Sequence, residues 1–370
     1  MNVLSLGILN LRMTNAHTAC HVDSNRHSGV EKTAADGSII AVSMVPVEEL
    51  HPEQSAIPGF GQVLGVVTYA QGITLGTKFP VVDVELQQLE GEPLAEVWHS
   101  TQIPQYGAAG IIRYSKVDDF LFATIELECE PDLQKQTEYV YKELLSFVSQ
   151  SGYPNLLRVW NHFPLINEFD NGTERYQLFC VGRHNAFRWY YGDNFQQQLP
   201  AASAIGTKGR KFSLHFISAA EPGMYLENQR QTSAYRYPQQ YGQCSPSFAR
   251  ATLFSHSKAN NLVLSGTASI VGHVTLHSGE PEKQLEETLR NIDALLQHES
   301  VLARQKHLAR FTNVKVYLRH PAHLPNIKSR VADYFGNMAG NMADNMSVVY
   351  LRGDICRGDL LLEIEGICGL

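Results

Sequence analysis

The closing stretch YLRGDICRGDLLLEIEGICGL brings together the residue types that do chemistry: a basic, cysteine-containing turn, Arg352 to Arg357, runs into an apolar strand, Leu360 to Ile367, interrupted by Glu363 and Glu365. Alternation along a strand puts Glu363 and Glu365 on one face with Leu361 and Ile367, and Leu362 and Ile364 on the other. A carboxylate on such a strand is either a solvated edge residue or a desolvated acid. A second concentration of reactive types lies upstream, in RYPQQYG…SPSFAR. Arg236 and Arg250 can each grip a carboxylate through a bidentate fork, and Tyr237 and Tyr241 supply ring faces with phenolic donors. An aromatic or cyclohexadiene dianion suits such a site. The competing reading is an interdomain crossing held by tyrosine packing and surface ion pairs.

The elements that must position these residues occur twice. From Gly110, IIRYSKVDDFLFATIELE reads as two strands about a polar turn, after which Leu133, Thr137, Val140, Leu144, Phe147 and Val148 recur at helical spacing until Gly152. LLRVWN then reads as a strand. In the second half, RATLFSHSKANNLVLSGTASIVG gives two strands, the segment opened by Pro281 carries Leu285, Leu289, Ile292, Leu295 and Leu296 on one helical face, and NVKVYLRHP gives a strand. The parallel continues: ERYQLFCVGR matches SVVYLRGDICR, and KFSLHFIS matches LLLEIEGI. A ββαβαβ-like unit of about 110 residues is thus duplicated.

We expect a poorly structured leader over 1–56, an N-terminal unit with an extension over 57–225, and a C-terminal catalytic unit over 226–370. The stutter GNMAGNMADNM reads as a loop after the last helix.

Composition narrows the function classes. The chain has 370 residues, 44% apolar and 18% charged, as expected of a globular protein. It has no apolar run long enough to cross a membrane and no basic residue ahead of its first apolar run, which argues against a secretory signal. A net charge of -7 without any Lys/Arg-rich run makes nucleic acid an unexpected partner. The six cysteines are far apart and form no CxxC pair, so neither a closed zinc site nor a disulfide framework is expected. His17 and His21 have helical ligand spacing, but HTACH lacks the glutamate of HExxH, and no metal is predicted.

The motifs NLLRVWNHFPLIN, NGTERYQLFCVGRHNAF, AASAIGT, AYRYPQQYG…SPSFARA, LVLSGTASIVGH and YLRGDICRGDLLLEIEG occur in this order. In them the chain, from about residue 57 to its end, resembles the chorismatases, also labelled pteridine-dependent deoxygenase-like. SGTASI, the helix QLEETLRNIDALL and EIEG are also similar to the YjgF-like fold. The resemblance implies an α+β protein of two YjgF/chorismate mutase-like units, with clefts formed inside one chain and hence a monomer. It implies cleavage of the enolpyruvyl ether of chorismate in the cytoplasm, giving pyruvate and a ring product. In the family an acid on the last strand protonates the side-chain methylene, and Glu363 matches it. That acid must be protonated near neutral pH, and its neighbours Leu361, Leu362 and Ile364 would bury it. Which of Glu363 and Glu365 enters the cleft depends on local twist.

Cys356, seven residues before Glu363, matches the cysteine of the branch that releases 3-hydroxybenzoate rather than a dihydrodiol. Arg352 and Arg357 would favour its thiolate. Arg319 is a further candidate carboxylate clamp. The reaction needs no redox carrier, and no cofactor is predicted. The alternatives are a lyase giving 4-hydroxybenzoate, a dihydrodiol-forming chorismatase, and a YjgF-like imine deaminase or binding protein.

Overall fold

The computed structural model describes residues 40–50, 56–57, 61–69, 78–256, 259–303, 311–339 and 346–370. His17 and His21 lie outside them, as does most of the expected leader.

Alternation decides what each central strand faces. In Lys211–Ala219, Phe212, Leu214 and Phe216 join the core beneath the helices Leu133–Gln150 and Arg175–Tyr191, while Ile217 joins a different core on the opposite face. Leu362–Cys368 behaves alike: Leu362, Ile364 and Cys368 pack with the helices Pro281–Leu296 and Leu324–Ala339, and Ile367 turns away from them. Both helices with clear apolar stripes form where the spacing predicts. Leu133–Gln150 is capped by the Asp132 carboxylate, which accepts from the Lys135 N–H at 3.1 Å, and is followed by Gly152 at φ +87°. The last helix continues through residue 339, so the start of the expected GNMAGNMADNM loop is helical.

The duplication extends to sheet order. The first sheet runs Ala201–Thr207, Asn155–Pro164, Lys211–Ala219, Phe120–Glu128, Ile112–Val117, with Gln105–Ala109 at its far edge. The second runs Ser347–Arg352, Phe311–Leu318, Leu362–Cys368, Ala259–Leu264, Ala251–His256, with Met224–Leu226 outermost. In each, the first two strands named are parallel and the rest antiparallel. The architecture is therefore the α+β one expected, two YjgF-like units each with helices on one face of a mixed sheet. Two details differ from the sequence reading. The unit ends in two strands, ββαβαββ, and ERYQLFCVGR lies in the helix Arg175–Tyr191. Its counterpart is the helix Leu324–Ala339, and Ala201–Thr207 is the counterpart of Ser347–Arg352.

The extension forms a third sheet around Leu94–Ser100, which pairs with Gly61–Thr68 on one side and Ile40–Pro46 on the other. The expected leader is thus corrected from residue 40 onward. IAVSMVP alternates well enough to bury Ile40, Val42 and Met44 in the central core and Val45 on the other side. Gln87–Gln88 continues the second sheet beyond Ser347–Arg352, tying the extension to the second unit.

The helix-free faces of the two large sheets meet the extension in one core that includes Trp98, Trp160, Ile217, Tyr317 and Ile367. Charges are embedded in it. Glu365 Oε2 accepts from Arg158 Nη2 at 2.8 Å, and its Oε1 accepts from Lys315 Nζ, Trp160 Nε1 and Tyr317 Oη, each at 2.9 Å. Lys315 also reaches Glu96 at 2.8 Å, and all four charged groups are buried. Such a cluster is stable because each charge is paired and hydrogen-bonded, and removing one member strands the others. Arg158→Leu should therefore lower stability by about 3–5 kcal/mol, read as a fall in the urea unfolding midpoint. An unchanged midpoint would show that Lys315 alone compensates Glu365.

Candidate active site

Glu363 and Glu365 share one face of the last strand, both almost fully buried, yet their surroundings differ. Burial alone would raise Glu365, but Lys315 and Arg158 outweigh it and hold its carboxyl at about 2. Glu365 is committed to the core. Its contribution to stability is present above the ordinary glutamate pKa and is lost as pH falls through about 2. Among the described residues Glu363 has no ion-pair partner. Burial first, and then the neighbouring Glu365 anion, push its carboxyl up to about 8, with Arg158 and Arg250 pulling partly back. It opens onto a pocket of 340 Å³, the size of a small-molecule site.

Four segments build the pocket. The start of the helix Arg175–Tyr191 supplies Tyr176 and Gln177, and the tract between the units supplies Tyr237, Tyr241, Phe248 and Arg250. The loop after Ala259–Leu264 supplies Gly266, Ala268 and Ile270, and the turn before the last strand supplies Cys356 and Arg357. That turn is pinned to the first unit, where Asp354 and Gly206 exchange backbone hydrogen bonds of 2.8 and 3.0 Å. A wall from the first unit and chemistry from the second thus face each other.

Of the residues picked out from sequence, Glu363, Cys356, Tyr237, Tyr241 and Arg250 line this pocket. Arg250 donates through Nη2 to Tyr237 Oη at 2.8 Å and to the Thr232 carbonyl at 2.9 Å, leaving its buried Nε without a protein partner. Arg236 does not reach the pocket: in the short helix Ala234–Arg236 it is exposed, its guanidinium over the Tyr235 ring. Arg319 is also elsewhere. It donates to the carbonyls of Ile355, Arg357 and Leu360 and pairs with Asp354 at 3.0 Å, so it holds the turn that carries Cys356. The expected thiolate is corrected too. Burial and Glu363 push the Cys356 thiol up to about 12 and Arg357 offsets only part, while Arg352 is exposed and paired with Gln87.

Two arginines escaped the sequence reading as pocket residues. Arg357 stands 4.0 Å above the Tyr241 ring and donates through Nη1 to the His273 carbonyl, with its buried Nη2 unpartnered. Arg183, from the middle of the helix, lines a recess of 30 Å³ behind the pocket together with Glu363, Cys180 and Ser247. Its Nε and Nη2 are both buried without a protein partner, and these two atoms form one side of the guanidinium fork. Arg183 lies far from the tract in sequence, and only the CVGRHNAF motif signalled it.

Gly266, of SGTASI, is fixed by close approach: a Cβ there would stand 1.7 Å from a Glu363 carboxyl oxygen. Gly266→Ala must therefore displace the acid. Turnover of chorismate, the substrate the resemblance implies, should fall by about 10²-fold, with the thermal midpoint nearly unchanged. Wild-type turnover would show that Glu363 is not placed by this contact.

Residues 96–218 match the family described as "Chorismatase FkbO/Hyg5-like, N-terminal". The chain is 32% identical over 326 residues to a 3-hydroxybenzoate synthase of Streptomyces hygroscopicus, covering 84% of this chain and 93% of that protein. It is 33% identical over 324 residues to a chorismatase of Streptomyces rapamycinicus, covering 85% and 94%. Among solved structures, a chorismatase crystal structure aligns at TM-score 0.78 and 28% identity over 89% of this chain and 98% of its own. With a relative above 30% identity matched along nearly its whole length, and a pocket that closes on a neutral glutamic acid, this chain belongs to the chorismatase family.

Proposed function

We propose that this chorismatase converts chorismate to pyruvate and 3-hydroxybenzoate, with Glu363 as the proton donor. The observation that carries the reading is a buried, neutral carboxyl in a pocket bordered by unpartnered guanidinium nitrogens. Chorismate is a dianion, and Arg183, Arg250 and Arg357 each offer charge-assisted donors to it. The Arg183 fork beside Glu363 suits the side-chain carboxylate, which sits next to the methylene to be protonated. Tyr237 and Tyr241 then face the ring.

Protonation of the methylene by Glu363 turns the enol ether into an oxocarbenium ion and leaves a carboxylate. The methylene becomes the pyruvate methyl group. The neighbouring ring hydroxyl at C4 adds to the oxocarbenium carbon and gives its proton back to Glu363. The C4–O bond then breaks as the C3 proton passes to the ether oxygen. The C4 oxygen leaves in pyruvate, the ether oxygen stays as the ring hydroxyl, and atoms and protons balance over the cycle. The two products together contain every atom of chorismate and no net water is consumed, whereas a dihydrodiol product requires one. The Cys356 thiol borders the pocket beside Glu363 as a neutral group, suited to hydrogen bonding or to excluding water rather than to nucleophilic attack. We read the protein as a cytoplasmic monomer, a reading supported by a pocket assembled within one chain and by the free thiols of Cys180 and Cys356 along one recess.

Purified protein incubated with chorismate should release pyruvate and 3-hydroxybenzoate in equal amounts, identified by chromatography. Release of 4-hydroxybenzoate instead would make it a lyase of the other regiochemistry. Glu363→Gln should lower turnover by about 10²- to 10⁴-fold while still binding chorismate. Because the folded-state pKa is raised and the protonated form is the active one, wild-type turnover should fall as pH rises through about 8. Cys356→Ala should keep pyruvate release while shifting the ring product toward the dihydrodiol. An unchanged 3-hydroxybenzoate yield would assign that cysteine to packing.

A further inference from the structure

Glu96 belongs to the N-terminal extension, outside both repeated units, and yet it is fully buried in the charge cluster behind the active site. Its Oε2 meets Lys315 Nζ at 2.8 Å and accepts from Tyr69 Oη at 3.2 Å, while its Oε1 accepts from Trp98 Nε1 at 2.8 Å. Lys315 Nζ is at once 2.9 Å from Glu365 Oε1. One ammonium is thus shared between two carboxylates, and Glu365 lies two residues from Glu363 on the same face.

The cluster contains Glu96 and Glu365 as anions and Lys315 and Arg158 as cations, so its charges balance. Without Glu96 it would carry an excess positive charge at Lys315, which lies opposite Glu365, two residues from Glu363 on the same face. Such a charge favours the ionised Glu363 carboxylate. The other groups around Glu363 do not substitute for this. Arg183, from the helix, Arg250, from the tract, and Arg357, from the turn, are cations that act in the same ionising direction, while Cys356 and Tyr176 are neutral. The remaining carboxylates of the pocket are Glu174, half-buried at its edge, and Asp359, which is exposed.

We propose that Glu96 is a positioning residue for the active-site acid: by sharing Lys315 with Glu365 it keeps the cluster behind Glu363 neutral, so the extension is part of the catalytic apparatus. The proposal rests on the reading of Glu363 as proton donor.

Two measurements separate the two ideas. The titration of Glu363 is followed in substrate-free protein by carbon NMR of labelled glutamate carboxyls, assigned by its absence in Glu363→Gln. The alkaline limb of chorismate turnover is followed in parallel. Glu96→Gln should move the Glu363 midpoint to lower pH by about one unit, a tenfold change in its ionisation, and the limb should move with it. Lys315→Met, which leaves the cluster negative, should move both to higher pH. The double variant Glu96→Gln/Lys315→Met restores charge balance and should return both toward wild type.

Opposite shifts in the single variants cannot arise from loss of packing, which would lower stability in both without moving the midpoints apart. If Glu96→Gln does not fold, Lys315→Met measured against the double variant still tests the sign. Unmoved midpoints in variants that fold would overturn the proposal and leave Glu96 as core structure. A moved NMR midpoint with an unmoved rate limb would uphold the coupling and overturn Glu363 as the acid that limits turnover.

Discussion

The carboxylate of Glu365 is the group on which the rest depends. It receives donors from both units: Arg158 and Trp160 from the first sheet, Lys315 and Tyr317 from the second. Lys315 links it onward to Glu96 of the extension. An ionised carboxylate in an apolar core is tolerated only when such partners surround it, so this constraint fixes how the three sheets meet. It also fixes the last strand's orientation. Glu363, on the same face, is then left without an ion-pair partner among those cations and opens onto the pocket. Two glutamates two residues apart thus hold opposite protonation states, set by what surrounds each.

The duplication shows how the two copies differ around Glu363. Arg158 and Lys315 occupy corresponding places in RVW and KVY, as do Trp160 and Tyr317, and both pairs converge on Glu365. Trp160 faces His215 across its sheet where Tyr317 faces Glu363. The position of the acid in the first unit is therefore filled by His215, buried, stacked on Trp160 at 4.5 Å and with neither ring nitrogen partnered. Burial holds that ring neutral, well below the usual histidine range. The connecting loops differ as well. Lys208 to Arg210 is a short turn, whereas Gly353 to Leu361 is long enough to fold back onto the first unit and present Cys356 and Arg357.

Sequence by itself determined the elements, because period and punctuation are local properties. The helices at Leu133 and Pro281, the alternation in EIEG and the duplication follow from apolar spacing, and the family motifs identified Glu363 and the tyrosine and arginine tract. Where the local signal is weak, the reading failed for a physical reason. ERYQLFCVGR has apolar residues around much of its helix and so shows no stripe, and IAVSMVP becomes a strand only because Leu94–Ser100 offers a partner.

Tertiary structure alone decided which charged groups meet. Arg236 and Arg250 look equivalent in the tract, yet a short helix exposes the first and the Tyr237 hydroxyl holds the second in the pocket. Flanking arginines promised a thiolate at Cys356, but electrostatics acts through space, and Glu363 and burial prevail over neighbours in sequence. Arg183 lies far along the chain from the acid whose recess it shares, and Glu96 farther still. Protonation depends on distance and desolvation, and a one-dimensional pattern fixes neither until the sheets have packed.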